Sequence, residues 1–244
     1  LPRRNEVDDV RICVLGNSHV ASLKLGLEKM PDARKNVSMD FFASRASALG
    51  ALRLENNRLV PTNDNLARSI AHTSGGKSEV VLADYDAFLV YGLGFRLPVM
   101  QAQLSSAVQR QICRDTLVQA LNFRMCSMVR QATDKPVYVG HDPQEAEGRK
   151  SPELSRSLPY EAVYDMMRSE LFRDDVRLVA QPRQTFANSW FTKPEFSAGS
   201  TRLDIGDAKS NELHSEADNK HMNGDFGRIW LESFFPAVGV KTAA

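Results

Sequence analysis

Along the chain, the period of the hydrophobic positions alternates between that of strands and that of helices. Residues 11–16, Arg-Ile-Cys-Val-Leu-Gly, form a short apolar run ending at Gly16. From Val20 the apolar residues move to helical spacing at Val20, Leu23, Leu27 and Met30. This predicts a strand, a tight turn and a helix. Val37 to Ala43 predicts a second strand, followed by the small-residue stretch Ser44 to Gly50. Residues 52–80 are polar, with Asn56-Asn57 and Gly75-Gly76 as turn signals, and are expected to form a long connection. Ala87 to Tyr91 predicts a buried strand that ends at Gly92-Leu93-Gly94. After Pro98, the positions Leu104, Val108, Ile112, Val118, Leu121, Met125 and Met128 mark one face of a long helix reaching Ala132. Pro136 to Val139 predicts a strand, Tyr160 to Phe172 a helix and Val176 to Ala180 a fifth strand. Residues 182–217 are expected to be a second long loop region, and Asp225 to Phe235 a last helix stopped by Pro236.

Strands separated by helices in this order imply a mostly parallel sheet covered on both faces, an α/β three-layer sandwich. The 244 residues are read as one domain, with residues 1–10 as an N-terminal extension. Composition agrees: 42% hydrophobic and 25% charged residues describe a globular chain rather than a low-complexity one. The 31 Lys and Arg against 30 Asp and Glu leave a net charge of +1, which offers nothing for neutralising a run of phosphates, so no nucleic-acid partner is expected. Cys13, Cys113 and Cys126 lack C-x-x-C spacing and read as reduced, mostly buried thiols. No apolar stretch is long enough to span a bilayer and no signal-peptide core opens the chain; cytoplasm is the default expectation.

In parallel α/β sheets, ligands collect at the carboxyl ends of the strands, which directs attention to the turns after them. Ser18 lies in the first strand-to-helix turn, where free N–H groups of the following helix favour developing negative charge. A serine hydroxyl needs a base and a group to orient that base. Near the other end, Asp218-Asn219-Lys220-His221 places a carboxylate three residues before a histidine, just ahead of the last helix. That spacing lets Asp218 reach Nδ1 of His221 and leaves Nε2 free for the Ser18 proton. Alone, Ser18 would read as a helix N-cap.

Gly16-Asn17-Ser18-His19 after the first strand, paired with Asp218-x-x-His221 before the last helix, resembles the SGNH hydrolase superfamily, also known as GDSL esterases. The resemblance implies a flavodoxin-like fold with a central five-stranded sheet. It makes Ser18 the nucleophile, His221 the general base and then acid, and Asp218 its orienting partner, with no cofactor and no metal. It also implies an oxyanion hole made from the Ser18 N–H, an N–H from the turn after the second strand, and an asparagine side chain in a Gly-x-Asn motif. For the second donor, Ala48 and Gly50 are both candidates. The third departs from the pattern, because Gly94 stands where the asparagine is expected. Its N–H, Arg96, Asn17 or Asn223 can substitute, Gly94 being favoured because glycine lets backbone approach a substrate closely. Asn223 also reads as the N-cap of the last helix.

Asn17, Arg96, His141 and Asp142 are the expected substrate-binding residues, although Gly140, Asp142 and Pro143 also suit a plain turn. Trp190, Phe191, Phe196 and Arg202 can join them in a polar-aromatic site. The expected function is a serine esterase removing a small acyl group, such as acetyl, from a carbohydrate or similar small-molecule ester. An acyltransferase, lipase or thioesterase on the same triad is the first alternative. A metal-dependent hydrolase using Asp204, Asp207, His214, Asp218 and His221 is the second, though no H-E-x-x-H spacing organises these residues. A binding module with a degenerate oxyanion hole is the third. Phosphate-loop, dinucleotide and G-x-S-x-G signatures are all incomplete.

Overall fold

The computed structural model describes residues 9–148, 154–171 and 175–240. Residues 1–8 of the expected N-terminal extension lie outside them, as does Phe172. The main sheet consists of β1 (Val10–Gly16), β2 (Val37–Ala43), β6 (Ala87–Tyr91), β7 (Val137–Gly140) and β8 (Val176–Val179), in the order β2-β1-β6-β7-β8. Every neighbouring pair is parallel. This is a doubly wound arrangement whose chain order reverses beside β1.

Both faces of the sheet are covered, so the strands read as continuous apolar runs. Along β1, Ile12 and Val14 point into one core while Cys13 and Leu15 point into the other. The first core lies under α1 (Val20–Glu28) and α6 (Gly224–Phe234), where Leu23, Phe226, Trp230 and Phe234 are buried. The second lies under α3 (Ser106–Gln119), α4 (Leu121–Ala132) and α5 (Tyr160–Leu171). Cys13, Cys113 and Cys126 are buried and form no disulfide.

The first and last helices touch through glycine. A Cβ on Gly227 would fall 1.8 Å from the Ser22 carbonyl oxygen, and one on Gly26 would fall 2.3 Å from the Arg228 nitrogen. Only bare Cα atoms permit two helix backbones to come this close. The contact sets the start of α1 beside the segment that leads into α6.

Two expectations about the elements are corrected. Residues 52–80 are not a bare connection: β3 (Leu52–Glu55) and β4 (Arg58–Pro61) form a hairpin, joined by β5 (Val80–Val81) in a small antiparallel sheet, with α2 (Asp64–Thr73) between β4 and β5. Asn56 and Asn57, both at positive φ (48° and 60°), make the two-residue turn, a conformation asparagine tolerates. The strands are too short and too polar to announce themselves as apolar runs. α2 is capped by Asn63, whose Oδ1 accepts the Leu66 N–H at 2.9 Å, and it buries Leu66 and Ile70.

The helix expected up to Ala132 is two helices. Ala120 is extended (φ −80°, ψ 134°), and the break offsets their buried faces: Gln109, Cys113 and Leu117 in α3, Asn122, Met125, Cys126 and Val129 in α4. Val108 and Val118, placed on the inner face by spacing, are exposed at 45% and 73%. Residues 182–217 hold two short 3-10 turns and, among the described residues, no α-helix or strand.

Candidate active site

β1 ends at Gly16, and Asn17-Ser18-His19 turns the chain into α1, with the Val20 and Ala21 N–H groups donating to the Asn17 and Ser18 carbonyls. The α1 N-terminus has no side-chain cap, so the capping alternative for Ser18 does not hold. Its hydroxyl is directed across the sheet edge: Ser18 Oγ lies 3.0 Å from His221 Nε2. His221 Nδ1 lies 2.9 Å from Asp218 Oδ2. With that carboxylate accepting from Nδ1, Nε2 is the acceptor and the serine donates.

Asp218 is itself tied down. Its Oδ1 accepts the backbone N–H groups of Lys220 and His221, each at 2.9 Å, so the Asp-x-x-His spacing closes into a turn with the carboxylate turned inward. Burial pushes the Asp218 carboxyl up, but the His221 N–H, its ring and the Lys220 N–H outweigh that and hold it down at about 2. It is a carboxylate throughout the neutral range.

His214 is a residue that sequence reasoning placed only among metal candidates. Its ring stacks on His221 with centroids 3.9 Å apart and planes 7° from parallel, and its Nδ1 lies 3.3 Å from the same Asp218 Oδ2. Burial, followed by the His221 charge, lowers its pKa. The signal was present as a histidine four residues before Asp218. His19 also stacks with His221, at 5.0 Å. Its Nε2 is 3.6 Å from Asp142 Oδ1, and burial lowers its pKa from the ordinary 6.5 to about 4, against the pull of Asp142.

His214, Asp218 and His221 can each offer one atom to a metal ion, all within 4.8 Å of one another. Asp204 and Asp207 do not join them: Asp204 Oδ1 is 2.7 Å from His72 Nε2, and Asp207 is paired with Arg45 at 2.5 Å. The five-residue set proposed from sequence is therefore reduced to three.

A cleft of about 320 Å³ opens over His221, walled by Asn17, Ala46, Ser47, Gly94, Arg96 and Lys220 among others. After β2, Ala46 and Ser47 face it. The N–H groups of Ala48 and Gly50, the expected donors, are used in a 3-10 turn on the Arg45 and Ser47 carbonyls. The Gly94 N–H, favoured from sequence, donates to Asp142 Oδ1 at 3.3 Å. Asp142 is 3% exposed and also accepts from Arg96 Nε at 3.2 Å. Asn223 caps α6, its Oδ1 accepting the Asp225 and Phe226 N–H groups.

His141, expected among the substrate-binding residues, is 3% exposed, with Nδ1 2.6 Å from the Asp142 carbonyl and Nε2 2.8 Å from Tyr160 Oη, behind the β7 turn. Beside the cleft, sharing Arg96 and Asp142 as walls, is a second hollow of about 230 Å³ bounded by Glu145, Trp190 and Phe191. Phe196 packs instead on Phe226, and Arg202 faces Glu212.

No protein-family profile and no curated protein sequence matches the chain. Among solved structures, it is similar to the periplasmic domain of a lipopolysaccharide acetyltransferase from Salmonella ser. Paratyphi A. That match has 11% identity and a TM-score of 0.47, and covers 96% of this chain and 85% of that one. A carbohydrate acetylesterase family member from Sinorhizobium meliloti aligns at 9% identity and a TM-score of 0.42, covering 94% and 97%. A possible lipase from Chitinophaga pinensis DSM 2588 aligns at 10% identity and a TM-score of 0.43, covering 95% and 100%. Among the described residues, no helix is long and apolar enough to cross a membrane.

Proposed function

We propose that this chain is a serine esterase of SGNH type, which removes a small acyl group such as acetyl from a carbohydrate or similar ester. The observation that carries the reading is the continuous hydrogen-bonded line from Ser18 Oγ through His221 to Asp218. In the reaction, Ser18 Oγ bonds to the ester carbonyl carbon while its proton passes to His221 Nε2. Asp218 stabilises the imidazolium. Collapse of the tetrahedral intermediate breaks the bond to the alcohol oxygen, which takes the proton back from Nε2 and leaves an acyl-enzyme. Water, activated by the same histidine, then releases the acid; a hydroxyl acceptor in its place would make the reaction a transfer.

The hollow beside the cleft, lined by Phe191, Glu145 and Arg96, supports a polar ring as the alcohol part. Against metal chemistry, Asp218 Oδ2 and His221 Nδ1 are already hydrogen-bonded to one another, and His221 Nε2 to Ser18. The test is labelling with a fluorophosphonate followed by peptide mass spectrometry, beside hydrolysis of p-nitrophenyl acetate. Modification at Ser18 that disappears in His221→Ala is expected, unaffected by a chelator. An intact fold without labelling, or activity lost to the chelator, would reject the serine mechanism.

A further inference from the structure

Attack on an ester moves the carbonyl π pair onto oxygen, and that charge has to be met by donors aimed at it. Of the four groups that can replace the missing asparagine, the Gly94 N–H donates to Asp142, and Asn223 Nδ2 donates to the Glu195 and Ala198 carbonyls at 2.8 and 3.0 Å. Arg96 is half exposed, its Nε donating to Asp142 and its Nη1 lying 3.5 Å from Glu145 Oε1, so its guanidinium is drawn to two carboxylates. Asn17 is held differently. It is 7% exposed, and its Oδ1 accepts the His19 N–H at 3.2 Å across the turn that carries Ser18.

The same oxygen rests on Gly92, the first residue after β6. A Cβ there would fall 2.5 Å from Asn17 Oδ1, and Gly92 sits at φ +75°, so a side chain is disfavoured by both space and conformation. The Asn17 amide thus reaches over the strand end from which the asparagine would otherwise have come. With the oxygen pinned, the remaining polar atom is Nδ2, which has no hydrogen-bond partner among the described residues; Asn17 lines the cleft with Ala46, Gly94 and His221.

We infer that Asn17 Nδ2 is an oxyanion donor of this site, and that Gly92 is bare so that the amide can lie there. The inference rests on the serine-esterase reading. As the Ser18 Oγ–carbon bond forms, the carbonyl oxygen gains the electron pair and accepts the Nδ2–H; the serine proton goes to His221, and nothing else is consumed.

Asn17→Asp is the discriminating variant, since it keeps an oxygen for the His19 N–H but puts an acceptor where Nδ2 stands. Asn17→Ala removes both. For p-nitrophenyl acetate, kcat is expected to fall about 10²–10³-fold in both variants, as for loss of one oxyanion donor, with KM changed by less than about threefold. Phosphonylation of Ser18 slows with it, and the Asp variant unfolds at the wild-type temperature. If Asp restores the activity that Ala loses, Asn17 only holds the turn and the inference fails. It fails alone if both variants match an active wild type, and together with the esterase reading if the wild type neither labels nor turns over.

Discussion

The two sides of Ser18 are constructed on different terms. On the base side, side chains bond to one another in sequence, Ser18 to His221 to Asp218, and Asp218 is locked by the backbone of its own turn. On the side proposed to meet the oxyanion, a buried carboxylate, Asp142, draws the Gly94 N–H and Arg96 towards itself, and Asn17 is held by His19 and the space above Gly92. The first side can be recognised from residue types and spacing. The second depends on which N–H groups the turns leave unspent, and so it can change its components while the Ser18–His221–Asp218 line stays fixed.

The largest expected effect lies on the base side. Ser18→Ala or His221→Ala should each lower kcat for p-nitrophenyl acetate by about 10⁶-fold, and the double variant should be no worse, because the two act as one unit. Asp218→Asn should cost about 10⁴-fold by reversing the preferred tautomer of His221. A double variant that multiplies the single losses would mean that the line of hydrogen bonds is not the working unit.

A smaller effect tests what both sides share. Gly227→Ala forces a methyl group against the Ser22 carbonyl, so the fold should lose about 3 kcal/mol and the unfolding midpoint fall by about 5–10 °C. Calorimetry reads the loss, and an unchanged midpoint would mean that α1 and α6 can separate freely.

The smallest effect separates the sides by pH. The His19 pKa is lowered to about 4, so between 6.5 and 4 the unfolded chain binds a proton that the folded one refuses. Stability is therefore full above the ordinary histidine range and declines as pH falls towards 4, by up to about 3 kcal/mol from this residue. His214 acts in the same direction. Asp218, held at about 2, contributes stability above the ordinary carboxylate range and loses it only as pH falls from about 4 to 2. Denaturant titrations at successive pH values should show the first decline shrinking in His19→Gln and the second remaining. An unchanged upper decline would remove His19 as its source.

Much of the fold was legible because buried parallel strands are apolar on both faces and end at glycine, as Arg11 to Gly16 and Ala87 to Gly92 do. The hairpin of residues 52–61 was not, since its four-residue strands are half exposed, and neither was the break at Ala120, which leaves the apolar spacing almost undisturbed. The meeting of Ser18 with His221 could be read from their places at element boundaries. The burial of His141 could not, because its partner Tyr160 is supplied by α5. His214 went unrecognised because stacking leaves no spacing signature beyond its distance from Asp218.

The glycine contact between α1 and α6 also bears on how the molecule comes into being. Ser18 and His221 are 203 positions apart, and the helices that bring them together are the first and last of the chain. Closing so long a loop is among the entropically costlier steps of folding. On the proposed reading, a nascent or partly folded chain therefore carries an unactivated serine, and reactivity at Ser18 arises only when the two ends have met.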